Sequence, residues 1–157
     1  MRGLAPVDGE PFGVFRGEAG LEGYDVEVGG QLGTAAERVA ADLIAFDRIL
    51  RERVEELDLI IQREHLDQDL TADNVSAVLI LCAWAHGEWI RTHPFPNGNG
   101  RTARILVNSI AQRYGLPAFM RIRPRPGAAY ALVANQAMQG KWIASIPLFV
   151  ALYEAAL

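Results

Sequence analysis

Cysteine is nearly absent from this 157-residue chain, which holds Cys82 alone. One cysteine permits no disulfide within the chain, so a cytoplasmic setting is the default expectation. Cys82 lies in the apolar run Val78-Leu-Ile-Leu-Cys-Ala-Trp84 and reads as a small buried hydrophobe rather than a reactive thiol. Long apolar runs are also missing. None reaches the roughly 18 residues of a membrane span, and Met1 to Asp8 lacks the apolar stretch of a signal peptide. No set of His, Cys, Asp and Glu has metal-ligand spacing, which argues against structural zinc. There is no internal repeat, low-complexity tract or linker, so one domain over residues 1–157 is expected.

A further absence points to function. Between Trp89 and Tyr153 there is no Asp or Glu, yet that span carries Arg91, Arg101, Arg104, Arg113, Arg121, Arg123, Arg125 and Lys141. The acids are concentrated before it, and the net charge is −4. The C-terminal half therefore favours anions, while the overall acidity argues against a broad nucleic-acid surface.

What is present is mostly helical pattern. Thr34-Ala-Ala-Glu37 reads as a capping box opening a helix. Leu43, Ile44, Ile49, Leu50, Val54, Leu57, Ile60 and Ile61 continue that helix to about residue 66, as one piece or broken near Leu57-Asp58. Thr71 or Asp73 caps the next helix, which runs to about Thr92 and is stopped by Pro94. A third starts around Asn99 and ends at Arg113 or Tyr114, before Gly115 and Pro117. A fourth fits Gly127 to Gln139. Ser145 caps a last one through Tyr153, with Pro147 in its first turn. The one β element expected is a hairpin in which Val14-Phe15-Arg16 and Tyr24 to Val28 flank the glycine-rich Gly17 to Gly23. The expected fold class is all-α, a helical bundle with a short β-hairpin near the N-terminus.

The chemistry concentrates in His93-Pro-Phe-Pro-Asn-Gly-Asn-Gly-Arg-Thr-Ala-Arg104. Gly98, Asn99 and Gly100 sit where a loop becomes a helix. The glycines let backbone N–H groups turn toward one point, and the helix N-terminus adds unpaired donors and partial positive charge. Arg101 and Arg104 lie three apart on the first turns and share a face, with the bidentate reach that phosphate groups favour. His93, at the other end of the loop, suits a general base for a hydroxyl. Phe95 anchors the loop. Base, anion cradle and two guanidiniums make a phosphate-transfer site.

This stretch resembles the motif of the Fic (Fic/Doc) family, His-Pro-Phe-x-Asp/Glu-Gly-Asn-Gly-Arg-x-x-Arg, and matches every fixed position except 97. Val14-Phe15-Arg16 and the hairpin resemble the family's flap, at about residues 13–31. His86, on the helix before the motif, and Tyr130 to Gly140 resemble its further elements. The resemblance implies transfer of AMP from ATP, with Mg²⁺ or Mn²⁺, to a Ser, Thr or Tyr hydroxyl of a target protein. His93 would act as base and Gly98, Asn99 and Gly100 would hold phosphates, which Arg101 and Arg104 would neutralise. Val26, Glu27 and Val28 of the flap would pair with the target as an added β-strand. No nucleic-acid or membrane partner is implied.

Two departures qualify the resemblance. The family's metal-binding acid is replaced by Asn97, whose amide oxygen can ligate Mg²⁺ but brings no charge. The outcomes are weaker Mg-ATP binding, an ion carried by the nucleotide alone, or a non-catalytic binding module. Nor is there a Ser/Thr-x-x-x-Glu-Gly/Asn inhibitory motif, since only Glu22 precedes a glycine and Glu18 stands four residues earlier. No room for an inhibitory helix is expected before the flap or after residue 157. Arg104 is then unrestrained, or blocked by a separate antitoxin-like protein as in the family's toxin–antitoxin pairs. Rival activities are a Doc-like kinase and transfer from another donor. Doc-type motifs place alanine and lysine in the cradle, which Gly98-Asn99-Gly100-Arg101 does not.

The remaining candidates have plainer roles. His86 reads as a hydrogen-bonded core histidine, His65 as solvated, and Trp84 and Trp89 as packing. Arg121 to Arg125 lines the nucleotide pocket, meets an acidic partner or covers the acidic half. Tyr130, and less strongly Asn135, is a candidate nucleobase contact or a core residue.

Overall fold

The computed structural model of the chain describes residues 13–61, 70–124 and 127–157. The expectations for His65, for Arg125 and for the first helix beyond Ile61 fall outside the described residues.

The architecture is the expected helical bundle with one hairpin. A short hairpin of β1 (Glu27–Val28) and β2 (Gln31–Leu32) leads through a 3-10 turn, Ala36–Arg38, into α1 (Val39–Ile61). Then follow α2 (Ala72–Thr92), α3 (Asn99–Arg113), α4 (Ala128–Met138), a second 3-10 turn at Trp142–Ser145, and α5 (Ile146–Glu154). No described helix is long and apolar enough to cross a membrane.

Helix α2 is the axis of the bundle, and α1, α3, α4 and α5 all pack on it. Val78, Leu79, Leu81, Cys82, Ala83, Trp84, Ala85 and His86 are consecutive or nearly so, and all are buried. A stretch apolar on nearly every side belongs inside, and only Ile80 within it is exposed. Burial pushes the Cys82 thiol pKa upward, in keeping with a packing role. Trp84 stacks on Phe46 of α1 at 5.5 Å, and Trp89 meets the same ring edge-on at 5.8 Å. Arg113 of α3 reaches Asp58 of α1 at 2.6 Å, tying the two helices together.

The structure corrects three local expectations. The hairpin does not pair Val14–Arg16 with Tyr24–Val28. Glu27 faces Leu32 and Val28 faces Gln31 across Gly29-Gly30, both left-handed, and a two-residue turn is the tightest way to reverse a strand. Thr34 does not cap α1. Its hydroxyl donates to Asp42 at 3.0 Å, and Asp25 accepts from the Ala36 N–H at 2.8 Å instead. Of the two alternatives for α1, the unbroken helix holds, running through Leu57-Asp58 to Ile61. Ser145 makes no cap, because its hydroxyl donates back to the Trp142 carbonyl at 2.6 Å. Thr71 does cap α2, accepting from the Asn74 N–H at 3.2 Å.

Candidate active site

The loop from His93 to Gly98 joins the central helix to α3, and both of its ends are fixed. His93 ends α2 in a left-handed conformation at φ 49°, the only such non-glycine among the described residues. A histidine tolerates this region at a cost, so surrounding contacts must hold it there. Arg16 supplies them. It is 1% exposed, and its guanidinium donates to the carbonyls of His93 at 2.7 Å, Thr34 at 2.7 Å, Thr92 at 2.9 Å and Tyr24 at 3.1 Å. The Arg16 N–H donates to the Pro94 carbonyl at 2.8 Å. One side chain thus ties the segment before the hairpin to the end of α2. Burial lowers its pKa, and Asp25 at 3.8 Å partly offsets that.

The other end of the loop is closed by Asn99. Its amide donates to the Phe95 carbonyl at 2.7 Å and accepts the Phe95 N–H at 2.9 Å. The side chain expected at the phosphates is therefore committed to the loop, which leaves its backbone N–H for an anion. Gly98 precedes α3 at φ 91°, a conformation side chains resist. Thr102 locks the helix start by accepting from the Trp89 indole at 2.8 Å. The Phe95 ring packs against Phe15 at 4.9 Å and Trp89 at 6.2 Å, as an anchor should.

The imidazole of His93 is half-buried. Its Nδ1 lies 3.1 Å from the Ile90 carbonyl, which can only accept, so the proton sits on Nδ1 and Nε2 keeps its lone pair. Burial lowers the His93 pKa, Arg16 adds to that, and the Ile90 carbonyl opposes it.

Beside the loop lies a cavity of about 430 Å³ lined by Asn97, Gly98, Arg101, Arg104, Ile122, Arg123 and Pro124. Arg101 and Arg104 meet there as expected. Arg104 is 3% exposed, donating to the Tyr130 hydroxyl at 3.3 Å and the Ile122 carbonyl at 3.2 Å. Its buried Nε has no partner. Gly100 leaves room for it, since a Cβ there would come within 3.3 Å of Arg104 Nη1.

Tyr130 is not in the cavity wall. It is 5% exposed and lies beneath Arg104, with its hydroxyl 2.8 Å from Nε2 of His86. Stacking on a nucleobase would need a free ring face, so the core alternative holds. His86 is the buried histidine expected, its pKa pushed down to about 3 by burial and then by Arg104. Asn135 likewise contacts the hairpin, donating to the Gly29 carbonyl at 3.0 Å. Glu27 and Val28 form β1 and are exposed. Val26 lies just before it, its carbonyl taken by the Gly33 N–H at 3.0 Å.

His86 makes acid sensitivity predictable. Between pH 6.5 and about 3 the unfolded chain binds a proton here that the folded chain refuses. Stability is therefore retained above that window and falls as pH drops through it, on the order of 1 kcal/mol per pH unit. Urea midpoints at pH 7.5 and 5.0 should separate more for the parent than for His86→Gln. Equal separations would remove His86 as the cause.

For a metal, the donor set is unsuitable. Among the described residues the cavity is lined by three guanidiniums, one exposed amide and no carboxylate. Mg²⁺ favours carboxylate oxygens, so these residues do not fit a protein-held Mg²⁺. The sequence left Arg123 open between the nucleotide pocket, an acidic partner and the acidic half, and gave no sign of the buried role of Arg16 or the anchoring role of Asn108. The Asn108 amide donates to the Met120 carbonyl at 2.8 Å and accepts the Met120 N–H at 2.9 Å.

The model of the Fic/DOC family matches residues 27–111, more than half of the chain. Curated relatives match part of the chain as well. The protein adenylyltransferase Fic of Nematostella vectensis is 43% identical over 58 residues, 37% of this chain and 13% of the relative. Protein adenylyltransferase fic-1 of Caenorhabditis elegans is 39% identical over 64 residues, 41% and 12% of the two chains. The protein adenylyltransferase Fic of Drosophila erecta is 34% identical over 62 residues, 38% and 12%. The matches span about an eighth of each relative's length. With the loop, its histidine and the cavity arginines Arg101 and Arg104 all in the matched region, the chain belongs to the Fic/DOC family.

Proposed function

We propose that this chain transfers AMP from ATP to a hydroxyl of a target protein. The observation that carries this reading is a base and an anion cavity joined by one short loop. His93 is held with Nε2 unprotonated, and α3 opens at the other end with Arg101 and Arg104 in the cavity wall. Nε2 takes the proton of a Ser, Thr or Tyr hydroxyl. The oxygen attacks the α-phosphorus, the bond to the bridging oxygen breaks, and pyrophosphate leaves. The opening N–H groups of α3 and the two guanidiniums neutralise the charge that shifts to the leaving group. ATP is the co-substrate. The names of the relatives support adenylyl transfer.

The target segment adds to the outer edge of the hairpin through its backbone, with Glu27 and Val28 as the docking strand. Inhibition by a separate antitoxin-like protein, which would cover Arg104, belongs to the same reading.

The test uses ATP labelled on either the α- or the γ-phosphate, with Mg²⁺ or Mn²⁺ and a bacterial lysate. Protein-bound α-label without γ-label is the expected result. Label from γ alone would replace the proposal with a Doc-like kinase. No label from either would leave another donor or a binding module as the better account.

A further inference from the structure

We infer that Arg123 is a third cationic ligand of the phosphate chain, and that this cavity takes a polyphosphate as the metal-free anion. The inference rests on the adenylyl-transfer reading only for the identity of the nucleotide.

Arg123 is carried on a segment stitched to the same helix that opens the anion site. Asn108 pairs with both backbone groups of Met120, and Arg104, one turn earlier on α3, donates to the Ile122 carbonyl. The next residue is Arg123, which lines the cavity with Arg101 and Arg104. Its position is thereby referred to the α3 N-terminus rather than to a separate loop. Arg101 and Arg123 have no ion pair among the described residues, a state they share with Arg53, Arg104 and Arg121, whereas Arg16, Arg38, Arg48, Arg51, Arg91 and Arg113 each have one. Arg104 uses two of a guanidinium's five N–H donors on protein acceptors, and its Nε is buried without one. Arg101 and Arg123 thus line the cavity with guanidiniums that make no ion pair among the described residues.

The position that would carry the compensating carboxylate is Asn97, an exposed amide on the same wall. Exchanging an acid for an amide there removes the attraction for a divalent cation and leaves the arginines unopposed. Such a wall attracts the most highly charged form of its ligand. A free triphosphate carries more negative charge than its magnesium complex, so the metal competes with the arginines instead of assisting them. Charge that a held ion would neutralise is neutralised here by Arg123, with the geometric fit of guanidinium to phosphate oxygens.

Calorimetric titration tests this with ATP and with inorganic tripolyphosphate, each in EDTA and in excess Mg²⁺. The proteins are the parent, Arg123→Ala and Asn97→Asp, each checked for an unchanged melting temperature. The parent should bind ATP at least as tightly in EDTA as in Mg²⁺. Arg123→Ala should weaken binding in EDTA by about tenfold or more, the loss expected for a charge-assisted contact. Asn97→Asp should reverse the preference in favour of Mg²⁺. Binding of the parent only in Mg²⁺ would overturn the inference and leave adenylyl transfer standing. So would Arg123→Ala binding like the parent. Metal-free binding of tripolyphosphate but not of ATP would do the opposite, keeping the arginine site and removing the nucleotide. No binding of either in EDTA would overturn the inference.

Discussion

His93→Ala should abolish measurable labelling of targets while leaving the affinity for ATP close to that of the parent. Removing a positioned general base costs on the order of 10²–10⁴ in rate. The imidazole is not among the residues lining the phosphate cavity, so binding has no reason to fall. The pH profile is the sharper readout. Burial and the nearby Arg16 cation hold the His93 pKa below its ordinary 6.5, against the pull of the Ile90 carbonyl. A lowered pKa keeps Nε2 free at lower pH. The acid limb of kcat/KM should therefore fall below 6.5, with the rate persisting as pH drops past that value and declining only further down. Single-turnover labelling across pH 5 to 8 measures it. An acid limb above 6.5, or His93→Ala labelling at the parental rate, would remove His93 as the base.

Arg16→Met should be the most damaging single change to the fold among the polar residues. Methionine keeps much of the volume but provides no donors. The carbonyls of Tyr24, Thr34, Thr92 and His93 would all lose the group that satisfies them. At about 1–3 kcal/mol for each buried acceptor left unpaired, and allowing for relaxation, the loss is about 3–6 kcal/mol. That is a large share of the stability of a domain this size. Urea denaturation at neutral pH measures it. Labelling at a temperature where the variant remains folded should also drop, because the left-handed His93 backbone would lose its restraint. Arg16→Lys should fall between, since one ammonium cannot reach four carbonyls set around a planar fork. A parental urea midpoint and parental activity in Arg16→Met would contradict this account.

Motif and helices were legible in the sequence because their signals are local. Pro94, Gly98, Gly115 and Gly140 punctuate the chain within a few residues of the boundaries they set, whereas the central place of α2 emerged only from its packing. The cavity's arginines were legible because two of them share one helix face. Longer-range partnerships were not. Arg16 and the His93 carbonyl are separated by 77 positions, and nothing near Arg16 says that it is buried. Asn108 looks like any polar residue on a helix until Met120 returns to it. The misplaced hairpin had a stronger signal available, since Gly29-Gly30 between two pairs of strand residues is a two-residue turn. The capping box at Thr34 failed for a tertiary reason: Asp42 competed for the hydroxyl and Asp25 for the free N–H.

The hairpin's attachments bear on how a target would be chosen. Strands of two residues do not hold themselves together in water. Here Arg16 grips the carbonyls on either side of the hairpin, at Tyr24 and Thr34, and Asn135 takes the Gly29 carbonyl at its tip. The edge is thus preorganised, and in strand addition the ordering entropy falls on the incoming peptide alone. A target segment that is already unstructured meets that cost most cheaply, whereas one packed in a fold must first be released. On the adenylyl-transfer reading, the enzyme would then choose hydroxyls by the local disorder of the chain that bears them, and only weakly by the residues around them.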